Sequence, residues 1–428
     1  MSLDLLVWIA LFGLILLGVP IFVSLGMATL IVITQTSIPL SIIPLDLYKV
    51  SEMFPLIAIP CFILAGALME KAGMSKQIVQ VFSMLVGRKR GGLGIVTILG
   101  CVFFAAMIGS APATVAAMGA IMIPSMIKHG YSKDYAAGVC CTGGALGILI
   151  PPSNPMIIYG VIANVSISGL FAAGFIPGAF VATALMLTAY LIARRHGFKG
   201  SDKVYTGKEI LKVCYKNIWS LLTPIIILGG IYAGIFTPVE ASVVAVVYAF
   251  VIGVVINRQL TLKRIWESLH LANISTGMVI IVVGVSFLFG RFLTMYHVPQ
   301  RLADTVLSIT SEPFLVLLLI ILVLFVLGMF METLATIVIL VPVLLPLIVE
   351  LGIDPIHFGI IIVMTNEVAL LTPPLGINLF VAKSLTDLSF ERIAKSVIPY
   401  VIVLVIMTLI IARFEDIVLF LPRLLYGY

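Results

Sequence analysis

Two double prolines, Pro151-Pro152 and Pro373-Pro374, lie 222 residues apart, each inside an apolar run. Proline has no amide hydrogen to donate and its ring blocks the preceding helical turn, so each pair frees backbone carbonyls. In apolar surroundings those carbonyls are costly unless something binds them, and a dehydrated sodium ion is a suitable guest. Helix N-termini exposed at the same breaks offer partial positive charge to a carboxylate. Around the first break stand Ser110, Thr114, Ser153 and Asn154, and around the second Thr333, Thr336, Thr372 and Asn378. Such side chains either cap freed backbone groups or touch an ion or solute. Glu332 and Glu367 lie within apolar segments, where an ionisable group is a functional candidate by default. The structural alternative is a protonated or paired carboxyl. Arg291 either attracts an anion or extends its head to the membrane surface. Glu240, after Thr237-Pro238, reads as compensation of a helix N-terminal dipole.

The 222-residue offset reaches far beyond the prolines. Gly147 falls on Ala369, Ile150 on Thr372, Ala113-Thr114 on Ala335-Thr336, Pro124 on Pro346, Gly130 on Gly352 and Ile176-Pro177 on Ile398-Pro399. Glycine and proline mark bends, so matching them means matching geometry. One structural unit is used twice.

The elements that carry these residues are membrane helices. Of 428 residues 61% are hydrophobic and 10% charged, mean hydropathy is +1.24, and apolar runs of about 20 residues recur. The fold class is therefore all-α and polytopic; strands alternating every second residue are not seen. The net charge of +6 is no nucleic-acid signature, because Lys and Arg sit in a few loops. The five Cys (61, 101, 140, 141 and 214) have no metal spacing and read as small core residues. The N-terminus lacks the basic region of a signal peptide and is expected to be an uncleaved first span.

Residues 1–52 read as a scaffold span (5–33) and loop. Residues 53–193 form the first repeat: a span at 53–70, an amphipathic interfacial arm at 75–90 bracketed by Ser75-Lys76-Gln77 and Arg88-Lys89-Arg90, a re-entrant hairpin at 93–127 with its tip at 109–114, a helix broken within 134–163, and a span at 169–193. A polar loop at 194–217 carries seven Lys and Arg. Linking spans at 218–234 and 237–256 fill 218–269. The second repeat, 270–412, has a span at 270–295, an arm at 298–309, a hairpin at 312–349 with its tip at Met331-Glu332-Thr333, a broken helix at 355–383 and a final span at 396–412. Residues 413–428 are a tail. The five His (129, 196, 270, 297 and 357) fall near span ends and are expected at the interface, with no proton relay.

With the 194–217 loop in the cytoplasm, 20 of the 25 Lys and Arg fall inside, leaving Lys49, Arg291, Arg301, Arg413 and Arg423 outside. Each repeat then crosses three times, so the two copies are inverted and their hairpins enter from opposite sides. Inverted repeats with broken helices are the pattern of secondary transporters, which hold solute and coupling ions near the midplane.

The hairpin Gly-Ser-Ala-Pro-Ala-Thr-Val-Ala-Ala-Met-Gly (109–119), the run Gly-Ile-Tyr-Ala-Gly-Ile-Phe-Thr-Pro-Val-Glu-Ala (230–241) and both double-proline breaks together resemble the large membrane subunit of tripartite ATP-independent periplasmic (TRAP) transporters, along essentially the whole chain. The resemblance implies an elevator mechanism, in which hairpins and broken helices slide against a scaffold. It also implies Na⁺ coupling with no other cofactor, a small membrane (Q) subunit as a separate chain, and a soluble periplasmic substrate-binding (P) protein. The location implied is the bacterial inner membrane. One sodium is expected at Ala105, Ile108, Gly147, Ile150 and Pro152, and the second at Gly328, Ala369, Thr372 and Leu375. Relatives usually read Ser-Gly-Ser-Gly-Pro at the first tip; here Ile108-Gly109-Ser110-Ala111-Pro112 lacks a hydroxyl at 108. Solute candidates are Ser110, Thr114, Ser153, Asn154, Glu332, Thr333, Thr336 and Asn378. The family's substrates are mostly carboxylates, including C4-dicarboxylates and sialic acid. The Q subunit is expected to pair with scaffold spans, the first two and 218–256. The competing classes are an ion channel, for which no ring-forming filter motif is seen, and an intramembrane enzyme. The enzyme reading lacks a His-Glu-x-x-His pair and a Gly-x-Ser-x-Gly turn with a placed histidine.

Overall fold

The computed structural model describes residues 3–35, 39–87, 91–198, 200 and 205–427. The basic triplet 88–90 and Lys199 and Lys203 lie outside the described residues. The chain opens with α1 (Leu3–Leu16) and α2 (Ile21–Thr34), then α3 (Ile42–Ser51), α4 (Ala58–Lys71), α5 (Met74–Val86), α6 (Gly92–Ile108), α7 (Ala111–Lys128), α8 (Lys133–Ala145), α9 (Asn154–Ala163), α10 (Ile167–Arg195) and α11 (Gly207–Lys216). The second half runs α12 (Ile218–Tyr232), α13 (Pro238–Val251), α14 (Leu262–Met295), α15 (Val298–Ile309), α16 (Pro313–Gly328), α17 (Thr333–Glu350), α18 (Pro355–Ala369), α19 (Ile377–Ser384), α20 (Phe390–Arg413) and α21 (Glu415–Tyr426). Seven helices among the described residues are long and apolar enough to cross a membrane. The protein is an all-helical, multi-pass membrane protein.

Shifting the first half by 222 residues lays α7 on α17 end to end, and puts α5, α6, α8, α9 and α10 on α15, α16, α18, α19 and α20 within a few residues. The packing repeats as well. The contact of α7 with α19 has its counterpart in α17 with α9, and that of α8 with α20 in α18 with α10. Contacts that exchange under the shift are what an approximate two-fold axis requires. Both hairpins turn where helix-stop and helix-start chemistry meet. In the first, Gly109 sits at φ +66° after α6, and Pro112 occupies the first turn of α7. In the second, the turn spans Met329 to Glu332.

Several expectations are corrected. The apolar run 5–33 is not one span: Gly18, at φ +81°, and Pro20 end one helix and start the next. Val7 and Val32 then line the same small cavity, so α1 and α2 fold back as a pair of 14-residue helices. At 1.5 Å per residue each is about 21 Å long, short of a bilayer core. The loop after it contains α3. The second-repeat span begins at Leu262 rather than 270, which makes α14 one unbroken 34-residue helix. The loop 194–217 ends in α11, capped reciprocally by Thr206 and Glu209, whose carboxyl is held below the usual range by the Thr206 amide and hydroxyl. Because that carboxyl is favoured in the folded state, this cap operates at neutral pH and is lost on acidification. The expected tail contains the helix α21 (Glu415–Tyr426), packed on α10. His357 is not interfacial but buried, its ring nitrogen 2.9 Å from the Ile411 carbonyl. Glu240 caps α13 with Thr237 as expected. Arg291 resolves as an ion pair: one guanidinium nitrogen donates to both Asp46 oxygens, at 2.8 and 3.0 Å.

Two packing bodies emerge. Helices α2, α3, α4, α13 and α14 pack together, whereas the hairpins, α8, α9, α18, α19, α10 and α20 form the other body. Ion pairs join chain segments that the charge pattern assigns to one membrane side: Lys71 with Glu267, Arg392 with Asp134 and Lys133 with Asp387 inside, Arg291 with Asp46 outside.

Candidate functional site

At the first break α8 ends in a tight turn, Leu146–Ile148, and the chain runs through Pro151-Pro152 before Ser153 caps α9. The Ser153 hydroxyl donates to the Ile148 carbonyl at 2.5 Å and accepts from the Met156 amide at 3.4 Å, so its role is the local cap. The hairpin tip lies directly on this break. The Asn154 amide donates to the Gly109 carbonyl at 3.4 Å, and a Cβ on Gly147 would stand 2.7 Å from the Ser110 carbonyl oxygen. Ile108, Gly147 and Pro152 are thereby gathered at one locus, with Ala105 a turn away on α6, its carbonyl accepting from the Gly109 amide at 3.1 Å. The Ile150 side chain points instead toward Gly178 on α10.

The second break repeats the arrangement with different atoms. The Leu375 amide donates to the Met329 carbonyl at 3.0 Å, and a Cβ on Gly328 would meet Ala369 at 2.8 Å. The Thr372 hydroxyl is turned back to the Val368 carbonyl at 2.8 Å. Gly328, Ala369 and Leu375 lie at this junction, and Thr372 has its hydroxyl engaged within the chain.

The solute candidates divide by what their polar atoms already hold. Thr114 and Thr336, related by the repeat, make the same bond one turn back, to the Ser110 carbonyl at 2.8 Å and the Glu332 carbonyl at 3.1 Å. Asn378 is a bridge between repeats: its amide nitrogen donates 3.2 Å to the Cys141 carbonyl on α8. Asn378→Leu removes that buried bond and is expected to cost about 1–3 kcal/mol, read as a lower unfolding midpoint in detergent. Besides Asn378 Oδ1, which is buried without a partner among the described residues, four groups are uncommitted: Ser110, which makes no cap bond, Asn154 Oδ1 and Thr333 Oγ1, both likewise buried without a partner, and the exposed Glu332. All four line a small space of about 70 Å³ between the two tips and the two breaks. Glu367 is fully buried, and neither carboxyl oxygen has a partner among the described residues.

That space adjoins a larger cavity of about 360 Å³, a size that suits a small organic solute. One wall is Ser110, Pro112, Ala113, Asn154, Glu332 and Leu334; the other is α4 (Ile63, Ala67, Glu70) and α14 (Leu271, Ser275, Met278, Val279, Val282). The site is thus shared between the two bodies.

Residues 8–417 match the model of the family described as the DctM component of the tripartite ATP-independent periplasmic transporter. The chain belongs to that family. It is 38% identical over 420 residues to the sialic acid TRAP transporter large permease protein SiaM of Vibrio cholerae, covering 97% of each chain. It is also 38% identical to the C4-dicarboxylate large permease protein DctM of Pseudomonas aeruginosa, over 89% of this chain and 88% of that one. Against the isethionate permease protein DctMQ of Oleidesulfovibrio alaskensis identity is again 38%, over 92% of this chain but 62% of the relative's length. Among solved structures, the Alcanivorax borkumensis YdaH transporter aligns with a TM-score of 0.67 at 14% identity, covering 86% of this chain and 87% of its own. Neisseria gonorrhoeae MtrF aligns at 0.58 and 13%, covering 85% and 82%. At such identities these two show the fold alone.

For a TRAP permease of the inner membrane, the larger cavity also has a direction. Glu70 and Leu271 lie near the ends of α4 and α14 that carry Lys71, Lys263 and Arg264, the charged side assigned to the cytoplasm. Glu70 was missed in sequence, although an acidic residue within an apolar span is itself a signal. Ser275 carried no comparable mark, since a serine on a long apolar helix is commonplace.

Proposed function

We propose that this chain is the permease of a sodium-coupled, binding-protein-dependent secondary transporter that imports an organic acid by an elevator movement. The observation that carries this reading is that both hairpin tips and both broken helices meet at one small space, which adjoins a cavity walled by α4 and α14. Solutes named for the relatives (sialic acid, C4-dicarboxylates, isethionate) share an acid group, a carboxylate or a sulfonate. The cavity itself is lined by Glu70 and Glu332 and by no Lys or Arg among the described residues. An anion entering such a cavity meets repulsion unless cations are already there. Two sodium ions, one held at Ala105, Ile108, Gly147, Ile150 and Pro152 and one at Gly328, Ala369, Thr372 and Leu375, would supply that charge and make co-transport obligatory. A small membrane subunit and a soluble periplasmic binding protein complete the machine in this reading, the small subunit against the scaffold helices.

Uptake into proteoliposomes holding the chain and its small subunit tests this. Labelled N-acetylneuraminate, and separately succinate, is offered with its binding protein, with and without an inward Na⁺ gradient. Uptake of either acid that needs both Na⁺ and the binding protein supports the reading. Saturable uptake indifferent to Na⁺ contradicts it.

A further inference from the structure

Helix α14 presents one continuous stripe to the hairpin body. Its inner part, Leu271 to Val282, walls the cytoplasmic cavity, and the same face continues outward as Ser286, Gly290, Arg291 and Thr294. That outer part walls a second cavity of about 210 Å³, closed on its other side by Val338 and Pro342 of α17. Arg291 is the one basic side chain lining these cavities among the described residues. Its fork is held rather than neutralised away. One terminal nitrogen donates to both oxygens of the buried Asp46, while the Arg291 side chain stays 43% exposed and its remaining N–H groups have no partner among the described residues. Lys49 lies 4.0 Å from the same carboxylate, so the cluster carries one net positive charge.

We propose that Arg291 is a solute-contacting residue of the outward-facing state, one that binds the acid group as it enters from the periplasm. This rests on the elevator reading above. From Val282 to Arg291 is nine residues, about 14 Å along the helix, and from Met278 thirteen, about 20 Å. A displacement of that size carries the tips, with Ser110, Asn154 and Glu332, from the inner part of the stripe to the outer part. The wall opposite the solute then changes from serine and aliphatic side chains to a guanidinium flanked by Ser286 and Thr294. Arginine presents a planar fork that matches a carboxylate, and Asp46 fixes its orientation. Besides any coupling ions that travel with it, the acid meets a cationic side chain of the scaffold at the outer face and none at the inner face, which favours loading outside and release inside.

The test uses the complex with its small subunit in proteoliposomes, N-acetylneuraminate and succinate as probes, and three variants: R291Q, R291K and the double change D46N/R291Q, which leaves no orphaned carboxylate. Half-saturation is measured for solute offered outside with its binding protein, at a low and at a saturating concentration of that protein, and for solute varied inside during exchange. The expected result is an outside KM raised about tenfold or more in R291Q and in the double variant, less in R291K, with the inside value unchanged. An outside KM unchanged in the double variant overturns the proposal, as does an equal loss at both faces. A loss that saturating binding protein restores assigns Arg291 to docking and also overturns it. Wild-type uptake that ignores Na⁺ strikes instead at the sodium-coupled reading.

Discussion

Gly147→Ala is expected to abolish uptake while the protein still reaches the membrane in normal amount. The added Cβ would stand 2.7 Å from the Ser110 carbonyl oxygen, 2.8 Å from Thr114 Oγ1 and 2.9 Å from the Ala111 Cα. Two of these neighbours are backbone atoms of the hairpin tip, which cannot swing aside as the end of a flexible side chain can. The tip must therefore lift from the first break, and Ser110 is one of its polar groups facing the cavity. Overpacking of this kind costs about 1–3 kcal/mol of stability, which a large helical body tolerates. A displacement of about 1 Å at a site that depends on geometry costs on the order of hundredfold in rate. Uptake and membrane abundance, measured together, separate the two. Normal uptake by Gly147→Ala would mean that the tip and break need not touch.

The second large effect is expected from Glu332→Gln. Glu332 stands at the start of α17 with no capping bond from its side chain, and lines both the small space and the larger cavity. If its charge helps attract the coupling ions, its removal raises the Na⁺ concentration for half-maximal uptake. A unit charge about 6 Å from a cation contributes about 3 kcal/mol at an effective dielectric of about 20. Because Glu332 is exposed to the cavity, solvent screening reduces this, leaving about tenfold in Na⁺ affinity. The solute KM at saturating Na⁺ is expected to change less, because in the proposed reading the acid binds to cations and not to Glu332. Uptake kinetics at graded Na⁺ check both parts. An unchanged Na⁺ dependence would remove Glu332 from the ion sites.

The breaks, tips and repeat were legible because they rest on local chemistry. Proline pairs and glycines announce themselves, and α7 and α17 coincide at the offset that Pro151 and Pro373 define. The fold-back at Gly18-Val19-Pro20 was hidden by unbroken hydropathy on both sides, although a glycine and a proline two positions apart are both turn punctuation. Helices α3 and α21 were hidden for the opposite reason, since their mixed composition reads as loop. The site was legible only by element. Which hydroxyls are spent on the backbone, as in Thr114 and Thr336, depends on rotamers that residue type does not specify. That Arg291 finds Asp46, 245 positions away, depends on how α3 docks on α14, which no local pattern encodes.

The central claim is that the hairpin body travels along α14, and cross-linking tests it directly. In a chain whose two partly exposed cysteines, Cys61 and Cys214, are replaced, two pairs are introduced separately: Ala113→Cys with Met278→Cys, and Ala113→Cys with Thr294→Cys. Ala113 and Met278 face the inner cavity, whereas Thr294 lines the outer one. The account predicts that both pairs form disulfides in membranes, with the balance between them shifting when Na⁺ and solute are added. A first pair that forms readily beside a second that never forms, under any condition that supports uptake by the cysteine-replaced parent, would contradict it.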